Sequence, residues 1–197
     1  MIGFALAWIP YVDYLGALLA VIGAILLVLG RRGYSDDHRY FVVRGAGVYL
    51  LAAIANVVLA LSIAAALADD ASTTTTLSQL GSTINGQIEA YLIGAAVVGM
   101  LAALAHVLMV FGLANDGTRR ILWAAFLAQG LVFAVILLVA FPLISSAISQ
   151  STSGTTFNAA PVTQLETTVL YYGLLGVIPS ALFFWAYWRV RESLPET

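Results

Sequence analysis

The chain contains no cysteine and no lysine. Without cysteine there is no disulfide framework, no thiolate metal site and no cysteine nucleophile, and the redox compartment is unreadable. Without lysine there is no Schiff-base pigment of the retinal type, no lysine-activated nucleophile and no Walker-type phosphate loop. Charge is scarce as well: 9% of the 197 residues are charged and 61% are hydrophobic, against roughly 25% charged in an ordinary soluble domain. Too little polar surface is left to cover a water-soluble globule. The formal net charge of −2 says little, because in a membrane protein the placement of charge relative to the bilayer outweighs its sum. No Asn-x-Ser/Thr acceptor occurs, so glycosylation offers no check on which loops face outward. The N-terminus Met1-Ile2-Gly3-Phe4 carries no basic region ahead of its apolar run, so a cleavable signal peptide is not expected and the first span is retained.

What is present is a series of five apolar stretches, near 14–30, 41–67, 90–113, 121–148 and 169–190. Each meets or approaches the ~20 residues that carry a helix across ~30 Å of hydrocarbon. The runs are continuously apolar, without the two-residue alternation of an outer-membrane barrel, so backbone hydrogen bonds in lipid have to close within each helix. The expected fold is all-α: a transmembrane helical bundle of five spans, forming one integral membrane domain over residues 1–197.

Orientation follows from the arginines. Arg31, Arg32, Arg39 and Arg44 flank the first loop, Arg119 and Arg120 the third, and Arg189 and Arg191 the C-terminus, while the second and fourth loops hold none. The positive-inside bias then places the N-terminus outside and the C-terminus inside. Aromatic residues mark both interfaces, with Trp123, Trp185, Tyr187 and Trp188 on the inner side and Trp8, Tyr11, Tyr14, Tyr91, Tyr171 and Tyr172 on the outer. The outer loops, 69–87 and 145–168, are rich in Ser and Thr, including the run Thr73-Thr74-Thr75-Thr76. Such composition buries little apolar area, and these loops are expected to be extended or flexible.

A faint repeat accompanies this topology. Gln87-Ile88-Glu89 and Gln164-Leu165-Glu166 open the third and fifth spans, and Asp13 precedes Gly16 and Gly23 in the first. Parallel duplication would produce the pattern, and so would membrane topology alone. Asp13, Glu89 and Glu166 would share one level at the outer face. Three converging carboxylates there could form a cation-attracting mouth or a Ca²⁺ site. Each would also sit in the first turn of a helix, where the dipole favours negative charge by roughly 0.3–1 kcal/mol, and capping is the preferred reading. Ser35-Asp36-Asp37 and Asn115-Asp116-Gly117-Thr118 follow the same grammar before the second and fourth spans.

Within the hydrocarbon the polar candidates reduce to Asn56, His106 and Gln129. His106 shares a helical face with Gly99, Ala102 and Ala103, where another helix would pack. Small residues recur every four positions at Gly16, Ala20 and Ala24, at Ala52, Asn56, Ala60 and Ala64, and at Ala95, Gly99 and Ala103, rows that let helix backbones approach closely. The three polar residues then read first as packing contacts and second as a solute pathway. A bis-histidine haem site would need a second histidine at membrane depth, but His38 lies in the inner loop, so no cofactor is expected. Asp36-Asp37-His38 could hold a metal only if adjacent side chains converged, whereas residues at a helix start diverge around the axis, and no metal is expected either. Pro142 and Pro179 fall inside the last two spans, where each removes a backbone hydrogen bond.

The segment Ile9-Pro10-Tyr11, followed by Gly16-Ala17-Leu18-Leu19-Ala20-Val21-Ile22-Gly23-Ala24-Ile25-Leu26-Leu27 and closed by Arg31-Arg32 and Ser35-Asp36, resembles small uncharacterised multi-pass proteins of archaea. The resemblance covers the first two spans and implies a prokaryotic, archaeal-like origin. No activity or site residue comes with it. The expectation is a non-catalytic integral subunit or scaffold of a prokaryotic cell membrane, in contact with lipid, packed against itself or other membrane subunits, with no nucleic-acid partner. The alternative is an oligomeric channel or a small-solute or ion transporter.

Overall fold

In a computed structural model of the chain, the described residues are 13–30, 36–73, 76–154 and 156–194; the side chains of 13–20, 67, 70–73, 162, 164 and 166–170 are excepted. Among them there is no strand. The order is α1 (Asp13–Gly30), α2 (Asp36–Thr73), α3 (Leu77–Phe111), α4 (Asp116–Val135), a π-helical turn (Ile136–Ala140), α5 (Phe141–Thr152), α6 (Ala160–Leu174) and α7 (Val177–Ser193). Four helical runs are long and apolar enough to cross a membrane: Asp36–Ala66, Leu77–Phe111, Asp116–Thr152 and Tyr171–Ser193. α1 is helical over 18 residues, Asp13–Gly30.

The Ser/Thr-rich segments expected to be extended are helical over most of their length. α2 continues to Thr73, α3 begins at Leu77, α5 runs to Thr152 and α6 begins at Ala160. Hydroxyls at these positions return their protons to carbonyls one turn back, as in Ser82 Oγ to Gln79 O at 2.9 Å, Ser149 Oγ to Ser145 O at 2.9 Å and Thr152 Oγ1 to Ile148 O at 2.9 Å. That local bond lets a short polar side chain sit inside a helix without competing for its ladder. α3, with 35 residues, is therefore about 52 Å long at 1.5 Å per residue, well beyond the ~30 Å hydrocarbon core.

Helix starts follow the capping chemistry read from the sequence. Asn115 Oδ1 accepts from Thr118 N at 2.9 Å ahead of α4, and Asp36 and Asp37 occupy the first turn of α2. Thr76 Oγ1 accepts from Gln79 N at 3.3 Å at the start of α3. Glu89 and Glu166 depart from this pattern. With α3 starting at Leu77 and α6 at Ala160, neither acid lies in a first turn, so the dipole explanation fails for both.

Both membrane prolines mark breaks. Before Pro142 the helix widens into the π turn, where Phe141 N–H donates to Ile136 O. The extra residue makes room for the proline ring, which cannot pack against a carbonyl four positions back. Around Pro179 the stretch read as one span is two helices. α6 ends at Leu174, Ile178 N donates to Leu175 O at 3.2 Å, and α7 begins at Val177.

The chain divides into two compact units. The first comprises Met1–Ala53, Gly99–Leu131 and Leu175–Thr197. Its core takes Ala103, Val107 and Val110 from α3, Leu122 and Ala125 from α4, and Phe183, Ala186 and Val190 from α7. The three-and-four spacing of these positions is the inward stripe of a helix. α2 meets α3 through two glycines. A Cβ on Gly45 would lie 2.8 Å from Met109 N and 2.9 Å from Ala105 O, and one on Gly112 would lie 2.6 Å from His38 Cα. The second unit comprises Ile54–Val98 and Val132–Leu174. There Gly94 lies against Leu59 and Gly81 against Thr152, while α5 and the π turn pack on α6.

Of the small-residue rows, Ala103 is buried with Ala95 and Gly99 half-buried, but along α2 only Ala52 is buried and Asn56, Ala60 and Ala64 are exposed. α2 approaches α3 closely at Gly45 instead. Gly16 and Ala20 lie outside the described side chains.

The contact predicts a contrast. Gly45→Ala should lower stability in detergent by about 1–3 kcal/mol, the usual effect of overpacking. Gly47→Ala, with nothing within 4 Å of the new methyl, should raise it by about 0.5–1 kcal/mol through helix propensity. Denaturation midpoints of the two variants check this; equal effects would remove Gly45 from the packing argument.

Candidate functional site

Two arrangements of polar side chains stand out, one in each unit. In the first, His106 of α3 is enclosed by aromatic residues. The Tyr49 ring lies 5.3 Å and the Phe183 ring 5.9 Å from the imidazole, centroid to centroid. Tyr187 Oη donates to the His106 carbonyl at 3.3 Å and stands 3.5 Å from Nδ1. Tyr187 thus turns inward from α7, not toward the inner interface to which the sequence pattern assigned it. Trp123, Trp185 and Trp188 are exposed, as an interfacial belt requires.

The three polar candidates are divided between the units. Gln129 is half-buried on α4 and Asn56 is exposed on α2. Asn56 belongs to the second unit, whereas His106 and Gln129 belong to the first. Sequence spacing placed His106 on a packing face correctly but could not select its neighbours, since Tyr49 and Tyr187 resemble ordinary interface tyrosines until the helices are assembled.

In the second unit an open groove of about 580 Å³ runs between the first half of α3 and α5. Ser78, Ser82, Asn85 and Glu89 line one side and Ser145, Ser149 and Thr152 the other. On each helix these positions recur at three- or four-residue steps, the spacing of one helical face. The signal was present in the letters but hidden, because both stretches read as irregular loop, where periodicity has no meaning. Asn85 holds the two helices together: Nδ2 donates to Ser145 O at 3.4 Å and Ser149 Oγ at 3.3 Å. Glu89 is exposed at one end. The side chains of Asp13 and Glu166 lie outside the described residues, so of the three outer acids only Glu89 is placed.

At the arginine-bearing ends, guanidinium groups stack on aromatic rings, with Arg44 3.6 Å from the Tyr40 centroid and Arg119 4.7 Å from that of Phe111. Arg31, Arg32, Trp8 and Tyr11 are outside the described residues. Asp36 pairs with Arg39 at 3.0 Å, while His38 is fully buried beside Gly112. Asp36, Asp37 and His38 therefore diverge. Among the described residues no cluster of three or more His, Cys, Asp or Glu could hold a metal ion.

No family model, curated protein or solved structure matches the chain. The functional reading rests on geometry.

The His106 cluster predicts a graded response. Tyr187→Phe removes one interhelical hydrogen bond and should cost about 0.6 kcal/mol, the membrane average. Phe183→Ala empties a buried ring site and should cost about 3–5 kcal/mol. Unfolding of both variants in mixed micelles separates the two. A Tyr187→Phe loss as large as that of Phe183→Ala would give the hydroxyl a role beyond packing.

Proposed function

We propose that the protein is a non-catalytic, multi-pass subunit or scaffold of a prokaryotic, archaeal-like cell membrane, packing against further copies of itself or against other membrane subunits. Its five spans run with the N-terminus outside and the C-terminus inside. The orientation is supported by the partition of charge: every arginine falls within the ranges of the first unit, and the Ser/Thr-rich stretches fall within those of the second.

The observation that carries the packing role is the outward face of α2. Only 6% of its membrane-length window is buried, and Leu50, Leu51, Ile54, Val57, Val58 and Leu61 are each more than half exposed. Lipid alone would cover such a face, but Asn56, on nearly the opposite side of the helix, is exposed as well. An amide left without partners in hydrocarbon costs several kcal/mol, and neighbouring Ala60 and Ala64 leave room for a second helix to reach it.

Replacing Asn56 tests this. If Asn56 pairs across an interface, Asn56→Leu should weaken association by about 1–2 kcal/mol, roughly five- to thirtyfold in dissociation constant. Energy transfer between labelled copies in liposomes measures self-association, and co-purification from native membrane in mild detergent measures other partners. Unchanged energy transfer together with a clean monomer and no companion would defeat the reading.

A second reading, a channel or a small-solute or ion transporter, is favoured by the π turn at Ile136–Ala140 and the helix break at Leu175-Gly176, since interrupted helices in membranes commonly border solute sites. Flux into liposomes that falls when Asn56, His106 and Gln129 are replaced together would favour it over the scaffold.

A further inference from the structure

We propose that the groove between α3 and α5 binds a cation carrying N–H donors, a primary ammonium. The inference goes beyond the packing role and requires no passage of solute.

It follows from where the hydroxyl protons point. Ser82, Ser149, Thr152 and Ser153, all lining the groove, donate to Gln79 O, Ser145 O, Ile148 O and Gln150 O at 2.9–3.1 Å. A hydroxyl has one proton and two lone pairs. With the protons held by helix carbonyls, these oxygens present only acceptors to a ligand.

Asn85 adds a dipole of the same sense. Its Nδ2 faces the carbonyl oxygen of Ser145, an acceptor that only the amide nitrogen can satisfy, so the amide orientation is fixed by its partner. Oδ1 is thereby left buried with no hydrogen-bond partner, and its unmet negative end favours positive charge in the groove without touching it. Among the described residues, Glu89 is the one charged residue lining the groove.

The lining therefore combines hydroxyl lone pairs and a single negative charge. An anion is repelled. A sugar, half of whose needs are for donors, is poorly served. A quaternary ammonium has the charge but no N–H for the hydroxyl lone pairs. A primary ammonium offers one positive charge and three donors, and a volume of about 580 Å³ leaves space for its carbon chain.

Two sources share this chemistry, a free amine and the ethanolamine headgroup of a lipid, and the test separates them. The full-length protein is placed in phosphatidylcholine nanodiscs, whose headgroups lack N–H, and titrated calorimetrically with butylammonium and with tetramethylammonium, equal in charge and similar in bulk. Butylammonium should bind at least tenfold more tightly. Glu89→Gln should weaken it at least tenfold, and Ser82→Ala, an exposed position whose loss spares the fold, about two- to fivefold. Adding phosphatidylethanolamine should weaken butylammonium binding if the headgroup is the occupant and leave it unchanged if a free amine is; either result supports the site. Equal affinity for the two cations, no binding of butylammonium, or binding indifferent to both substitutions in folded protein would overturn it.

Discussion

A bilayer offers no hydrogen-bond partner, and that constraint organises this protein more than any single contact. Every backbone amide crossing the hydrocarbon has to be satisfied by its own helix. Here the rule extends past the hydrocarbon edge. The runs Leu77–Phe111 and Asp116–Thr152 continue as helices through stretches whose composition suggests loops, because Ser and Thr hydroxyls bond to carbonyls of their own helix.

With backbone polarity contained, helices associate by close approach. α2 and α3 touch where Gly45 meets the backbone at Ala105 and Met109, and where Gly112 meets His38. The core around Ala103, Val107, Leu122 and Ala186 is built mainly from small side chains. Such packing draws on dispersion rather than on water release, since lipid is as apolar as leucine. The two interruptions beside prolines each have a local solution: a wider turn before Pro142 and a chain junction before Pro179.

The sequence made some of this legible and hid the rest for identifiable reasons. Helical class and span positions follow from run length and apolar continuity, properties of single segments. The caps at Asn115 and at Asp36 and Asp37 were readable because capping is local. The helical state of 69–87 and 145–168 was not, since Ser and Thr propensities measured in water favour turns, and back-bonding becomes visible only once the helix exists. Glu89 was misassigned as a consequence: an acid three turns inside a helix looks like a first-turn acid when the helix start is set too late. Tyr187 was placed at an interface by composition, while its inward orientation depends on α7 presenting that face to His106.

The groove and the aromatic enclosure of His106 illustrate two fates of polarity in a membrane protein. Around His106, Tyr187 donates to a backbone carbonyl and Tyr49 and Phe183 surround the ring, an arrangement that serves the histidine from within the fold and leaves it nothing to offer a ligand that the neighbouring helices do not already supply. Along α3 and α5 the balance differs. Protons are directed into the helices while lone pairs face outward, and Asn85 keeps an acceptor unmet. A site that satisfies its own needs holds helices in register. One with a surplus of a single kind of hydrogen-bonding group selects what can approach, because only a donor-bearing partner reduces the cost of leaving those acceptors dry.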